Sequence, residues 1–231
     1  MKAGVLAFLD RLAGVFFPYR CAICGQVVEY EKMCCPACEE KHLPPQAAAE
    51  SAQPPLSGSL TLFDYKGEIV RAVLEMKRLA ERRQACFFAG QLALAMEEHW
   101  PQISFDLITA VPQSTARRRN TGHNQAQVLA RELAGEMNMP QCYDLLSRWE
   151  KSLPQHKLTG EDRKQNAELS YRLLPGASLH GERVLLVDDV LTTGATASAC
   201  AGRLLEAGAS EVRVVAVAQT LLQSNCGVKS Q

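Results

Sequence analysis

The 231-residue chain contains no run of 18 consecutive apolar residues, which excludes a helical membrane span on length alone. It carries no net charge: 25 Lys+Arg stand against 25 Asp+Glu, so no global field steers it to nucleic acid or an anionic membrane. Any anion must be held by local clusters. Aromatic residues make up only 6% of the chain, a meagre supply of stacking surface for single-stranded nucleic acid. There is no repeat at a solenoid period and no long block of like charge. The opening MKAGVLAFLD has some apolar length, but Asp10 and Arg11 interrupt it early, so no signal peptide is expected.

Hydrophobic residues form 47% of the chain, enough for one full core and a small appendage. Nine cysteines are present, five of them between Cys21 and Cys38. An odd number in a chain this long argues against a secreted disulfide scaffold and for metal binding in a reducing compartment. Cys21-x2-Cys24 and Cys35-x2-Cys38 are ten residues apart, and four such thiolates satisfy tetrahedral Zn²⁺. A closed site of this kind is structural, a zinc ribbon. Redox thiols are the rival reading of a CxxC pair. Cys34 is a surplus thiol, and Cys86, Cys142 and Cys200 read as small buried hydrophobes.

Val5, Leu9, Leu12 and Phe16 recur at helical spacing and predict an amphipathic helix that docks on the next module, with peripheral membrane contact as the alternative. Residues 1–43 are thus helix plus ribbon. Residues 44–57, rich in Pro, Ala and Ser, read as a linker, and 58–231 as the main domain. Within it the pattern predicts strands at 60–65, 106–111, 143–148, 168–173, 183–188 and 211–220, and helices at 68–79, 85–98, 123–137 and 195–207. The polar stretch 152–166 reads as a mobile loop. Apolar strands alternating with helices imply an α/β fold with a mainly parallel sheet covered on both faces, its ligand beyond the carboxyl ends of the strands.

The segment RVLLVDDVLTTGAT (183–196) carries the chemistry. VLLV suits a central strand, and it runs into Asp188 and Asp189. The loop 190–196 then leads into a helix. Gly194 permits a tight turn, Thr192, Thr193 and Thr196 offer hydroxyls, and Ala195 brings the first free N–H groups of the helix. That combination binds a phosphate dianion. The carboxylates can accept hydrogen bonds from vicinal ribose hydroxyls or hold Mg²⁺ through water. Ordinary surface acid before a plain helix cap is the competing explanation.

This segment resembles the phosphoribosyl-pyrophosphate signature of type I phosphoribosyltransferases. The resemblance implies a parallel twisted sheet of that type and a ligand such as phosphoribosyl pyrophosphate or a nucleotide, with Mg²⁺. It also places VPQSTARRR, with Arg117, Arg118 and Arg119, at the pyrophosphate; a solvated basic turn is the plain alternative. Ribbon and domain together resemble the ComF/GntX family of natural competence and DNA uptake. The features shared include Tyr65, Gly67 and Lys77, then Pro112, Arg117, Arg119, Gly122, Asn124 and Gln125, and finally Gln155, Leu158, Arg163 and Asn166. One departure is Thr121-Gly122-His123-Asn124-Gln125, where the family usually reads Arg-Gly-Phe-Asn-Gln.

What the resemblance implies is a cytoplasmic protein, with the inner membrane face as a peripheral alternative, handling incoming single-stranded DNA beside a helicase-like competence protein. Basic clusters at 77–83 and 116–119 would meet phosphates, Lys77 among them, although a helix-surface lysine explains it equally. A working phosphoribosyltransferase with an unidentified acceptor is the second function the motif permits. No side chain stands out as a general base.

Overall fold

Unbroken aliphatic runs make strands buried on both faces, and two such runs, VLLV at 184–187 and VVAVA at 214–218, build the centre of the sheet. The computed structural model describes residues 18–29, 32–50, 54–79, 82–115, 118–119, 122–149 and 170–220. Their elements in chain order are α1 (Pro36–His42), β1 (Ala48–Glu50), β2 (Gly58–Asp64), α2 (Gly67–Leu79), α3 (Arg82–His99), β3 (Leu107–Ala110), α4 (Gln125–Glu136), β4 (Leu146–Arg148), β5 (Tyr171–Leu173), β6 (Arg183–Leu191), α5 (Ala195–Glu206) and β7 (Glu211–Gln219).

Five strands form one sheet in the order β1-β2-β7-β6-β3. β2, β7, β6 and β3 run parallel, and β1 adds antiparallel to the outer edge of β2. β4 and β5 pair separately as an antiparallel ribbon. The outer edge of β3 is also met: the Ile108 N–H donates to the Pro140 carbonyl at 2.9 Å, and the Cys142 N–H donates to the Ile108 carbonyl at 3.0 Å.

Period-two alternation divides the core between the two faces. Val184 and Leu186 of β6 join Val212, Val214 and the α5 residues Cys200 and Leu204 on one side. Leu185 and Val187 join Ile108, Phe88 and Leu92 of α3, and Leu129 and Leu133 of α4 on the other. The cysteine ribbon belongs to this second cluster, where Cys21, Ile23 and Cys34 are buried with Phe63 and Phe88. Arg83 fastens it: its guanidinium lies 4.9 Å over the Tyr19 ring, and it donates to the Arg20 carbonyl at 3.3 Å and to the Lys32 carbonyl. Lys41 of α1 reaches Glu68 of α2 at 2.7 Å.

The structure departs from the sequence reading at several points. β6 runs on through both aspartates to Leu191, because β7 continues beside it and pairs Val190 with Ala218 and Leu191 with Gln219. The free turn is therefore shorter than 190–196. Within the stretch read as linker, Ala48–Glu50 is drawn onto the free edge of β2 opposite Ser59–Thr61. Cys86 and Cys142 are only half-buried, and the Cys86 thiol donates to Glu132 Oε2 at 3.2 Å, so Cys86 behaves as a polar group and not as a small hydrophobe. The expected helix around Val5–Phe16 and the loop 152–166, with Gln155, Leu158, Arg163 and Asn166, lie outside the described residues.

Gly208 closes the turn between α5 and β7 with φ +109°, and a Cβ there would sit 2.1 Å from the backbone oxygen of Leu179. Leu179 cannot move aside freely, since its N–H donates to the Ala207 carbonyl at 2.7 Å. Gly208→Ala is accordingly expected to cost about 2–4 kcal/mol, read as a lower urea midpoint at unchanged slope. A loss under about 0.5 kcal/mol would show that the turn relaxes easily.

Candidate functional site

Parallel strands deliver their carboxyl ends to one edge of the sheet, and the site forms there. β3 stops at Ala110, opposite Val187, and a last rung joins the Val111 N–H to the Val187 carbonyl at 2.9 Å. Beyond that point β6 has, among the described residues, a strand neighbour on one side only. The open side gives Asp188 and Asp189, which face opposite ways along the strand, access to the same cavity of about 170 Å³. Asp188 Oδ1 accepts from the Asp189 N–H at 2.8 Å, fixing the first carboxylate against its own backbone.

The turn Thr192–Gly194 follows. Gly194 takes φ +72° and stands at the N-cap of α5, where it has no side chain of its own to close the helix start. The twelve-residue α5 thus presents its first N–H groups and the positive end of its dipole toward the turn. Thr193 Oγ1 accepts from the Ala195 N–H at a long 3.4 Å. Thr192 and Thr193 are exposed, Gly194 and Ala195 half-buried, and Thr196 lines the acidic cavity itself.

Two walls come from outside the signature. Asn124, at the start of α4, donates through Nδ2 to the Val111 carbonyl at 2.9 Å and ties that helix to the end of β3. Across from it the β4–β5 pair contributes Arg148 and Tyr171, directly opposite one another in register. The Arg148 guanidinium lies 5.6 Å over the Tyr171 ring. Burial pushes the Tyr171 phenol up to about 12, further from ionisation than an ordinary tyrosine.

A second cavity of about 280 Å³ adjoins the first and shares Pro112, Gln113, Asn124 and Arg148 with it. Arg118 and Tyr143 also line it. Burial likewise pushes the Tyr143 phenol up to about 12.

Of the residues read from the sequence, Asp188, Asp189 and Thr196 meet in the acidic cavity, Thr192, Thr193, Gly194 and Ala195 form the adjoining turn, and Arg118 faces the second cavity. Arg119 is exposed and lines neither cavity. Arg117 lies outside the described residues, and of Lys77 only the backbone, within α2, is described. Arg148 and Tyr171 were missed, because only the pairing of two distant short strands makes them neighbours.

The cysteines form a separate centre. The sulfurs of Cys21, Cys24, Cys35 and Cys38 lie within 4.8 Å of one another, and Cys24 and Cys35 are 3.6 Å apart. A tetrahedral ion with metal–sulfur bonds of about 2.3 Å needs sulfurs roughly 3.8 Å apart, so the four side chains fit a metal such as zinc. Tight turns aim them inward: the Gly25 N–H donates to the Cys21 carbonyl at 3.0 Å, and the Cys38 N–H to the Cys35 carbonyl at 3.0 Å. Burial works to raise the Cys21 thiol, but N–H groups of Cys24, Cys35 and Ile23 outweigh it and bring it to about 6. Burial raises Cys24 and Cys38, and a cation among the sulfurs would reverse that. Cys34 is buried 3.9 Å from Cys21 and stays outside the four.

Residues 83–223 match the Phosphoribosyl transferase domain family. DNA utilization protein YhgH of Escherichia coli (strain K12) is 28% identical over 210 residues, covering 87% of this chain and 90% of the relative. Competence protein F of Haemophilus influenzae is 27% identical over 208 residues, covering 88% and 85%. Among solved structures, adenine phosphoribosyltransferase from Thermoanaerobacter pseudethanolicus shares 20% identity at a TM-score of 0.41, over 65% of this chain and 74% of that one. The allosteric regulatory enzyme of purine biosynthesis shares 23% at 0.37, over 57% of this chain and 25% of that one, so the chain spans about a quarter of its length.

Replacing one of the four sulfurs tests the metal centre. Cys24→Ser is expected to lose close to one equivalent of bound zinc by elemental analysis and to lower the melting midpoint by roughly 5–10 °C. Cys34→Ser should leave the metal content unchanged.

Proposed function

Because this chain belongs to the phosphoribosyl transferase domain family, we propose that its acidic cavity binds a phosphorylated ribose, phosphoribosyl pyrophosphate or a nucleotide, and that it does so as a ComF-like protein of DNA uptake and utilisation. One observation carries the reading: both carboxylates, Asp188 and Asp189, open into the cavity that Thr196 lines at the uncapped start of α5. The roles divide by charge. Threonine hydroxyls and the N–H groups at 192–196 hold the 5-phosphate, and the two carboxylates accept hydrogen bonds from the ribose hydroxyls. Arg118, with Lys77, Arg117 and Arg119 as further candidates, meets the pyrophosphate end. Mg²⁺ would neutralise charge on the diphosphate when bound. The residues that fit it are the same carboxylates, which can hold it through water.

The reading extends to the ribbon, which is proposed to hold a structural Zn²⁺, and to the partners of such a protein, single-stranded DNA and a helicase-like competence protein on the cytoplasmic side. Support comes from the names of relatives matched over most of both chains. No helix among the described residues is long and apolar enough to cross a membrane. A second reading is catalytic transfer of phosphoribose to an acceptor, and the adjoining cavity that Arg118 lines gives the pyrophosphate a place to leave into. In it, the bond from ribose C1 to pyrophosphate breaks and a bond from the acceptor to C1 forms through an oxocarbenium-like state, the turn holding the 5-phosphate while Arg118 stabilises the charge on the departing pyrophosphate.

Calorimetry with phosphoribosyl pyrophosphate in Mg²⁺ separates these ideas from an empty fold. Wild-type protein is expected to bind, and the pair Asp188→Asn with Asp189→Asn to bind about 10–100-fold more weakly. Absence of heat with wild type, or equal affinity in the variant, ends the sugar-phosphate reading. For the DNA partner, fluorescence anisotropy of a labelled oligonucleotide should show affinity that falls as salt rises. A signal indifferent to salt, or none, removes direct DNA contact.

A further inference from the structure

We infer that the cavity between the cysteine ribbon and the main domain is a second binding site, one that takes an uncharged planar heterocycle, a free nucleobase or nucleoside. It shares no residue with the acidic cavity and does not depend on the sugar-phosphate reading.

The cavity measures about 640 Å³, a size usual for small-molecule sites. The last turn of α1 and the chain that leaves it, Leu43 and Pro44, make one wall, and the end of β2 with the start of α2 makes the other. Asp64 of β2 pairs with Gln219, and Gln219 with Leu191, so the whole width of β7 separates this site from β6. Leu62, Phe63 and Ile69 give it an apolar floor. The His42 imidazole and the Phe63 ring stand at 87° with centroids 6.4 Å apart, and so offer a flat ring both a face and an edge.

The polar groups select against charge and leave one atom without a partner. Lys41 donates to both oxygens of Glu68, at 2.7 and 2.9 Å, and Lys66 donates to Asp64 at 2.7 Å. With Glu40 on the same lining, three carboxylates face two ammonium groups that are already engaged, so a phosphate finds no spare lysine here. His42 Nε2 is buried and has no hydrogen-bond partner among the described residues; Glu68 Oε2 lies 3.6 Å from it, past hydrogen-bond reach. A buried ring nitrogen left unsatisfied favours a ligand that brings the missing partner. A nucleobase does so with a ring nitrogen or an N–H, whichever suits the imidazole tautomer, while its amino and keto groups reach the paired charges at the rim. An apolar side chain from a partner protein would cover the floor and still leave that nitrogen unpaired.

The test is calorimetry on the full chain with deoxyadenosine and thymidine, their 5′-monophosphates and a short single-stranded oligonucleotide. At least one nucleoside is expected to bind, and its monophosphate to bind about fivefold or more weakly. His42→Leu, which removes the nitrogen and keeps an apolar side chain, is expected to weaken the nucleoside about tenfold or more. Saturating phosphoribosyl pyrophosphate with Mg²⁺ should leave nucleoside affinity within about twofold, and direct competition between the two would put the ligand in the acidic cavity and overturn the inference. No binding of either nucleoside, unchanged affinity in His42→Leu, or equal or tighter binding of the monophosphate or the oligonucleotide overturns it as well. Should the Leu variant fail to fold, ¹⁵N spectra of the histidine-labelled wild type decide, since the His42 Nε2 resonance must move when nucleoside is added and a resonance that stays put ends the proposal. Nucleoside binding by a protein that ignores phosphoribosyl pyrophosphate sinks the sugar-phosphate reading alone.

Discussion

The register of β6 is the constraint on which the rest depends. Because side chains alternate along a strand, a slip of one residue against β7 would exchange Val184 and Leu186 with Leu185 and Val187 and turn both aspartates over. Hydrophobic cover on the two faces prevents the slip, since every position from Val184 to Val187 is fully buried. The same pairing that builds the core thus places two carboxylates at an opening. That opening exists because β3 is shorter than β6, so a difference in strand length, and not a special loop, creates the cavity.

Charge then does what shape alone cannot. The chain as a whole is neutral, yet at one edge of the sheet Asp188 and Asp189 line one compartment and Arg118 the next, with Arg148 shared between them. Between them sit Asn124 and Pro112, uncharged and tied to the backbone. Tyr171 and Tyr143 are neutral phenols whose ionisation burial moves still further from physiological pH, so neither adds a competing anion. A ligand with unlike ends finds a matched polarity over a short distance, which supplies orientation without any long-range field.

What could be read in the residues themselves was the local chemistry. The acid pair, the glycine with left-handed backbone and the threonines lie within nine consecutive positions, and the two CxxC pairs within another short segment, so that spacing alone carries the meaning of each. The parallel sheet was legible too, because its central strands are continuous aliphatic runs. Arg148 and Tyr171 were not legible, since each looks like an ordinary strand residue until a pairing across more than twenty positions sets them face to face. Nor was the length of β6: Val190 and Leu191 belong to the strand only because β7 extends equally far. The polar role of Cys86 likewise required Glu132, supplied by a different helix. In each case the deciding contact is non-local, and period and propensity say nothing about it.

The cover on the two margins of the sheet has one more consequence. An open strand edge is a template on which another copy of the chain can lay its own backbone, and a flat parallel sheet of aliphatic residues is a hazardous core to leave unguarded. Here Ala48–Glu50 occupies one margin and the segment at Pro140–Cys142 the other. Both are short, and each satisfies only part of a strand. Small as they are, these two strips of backbone occupy positions at which a further strand would otherwise add to the sheet.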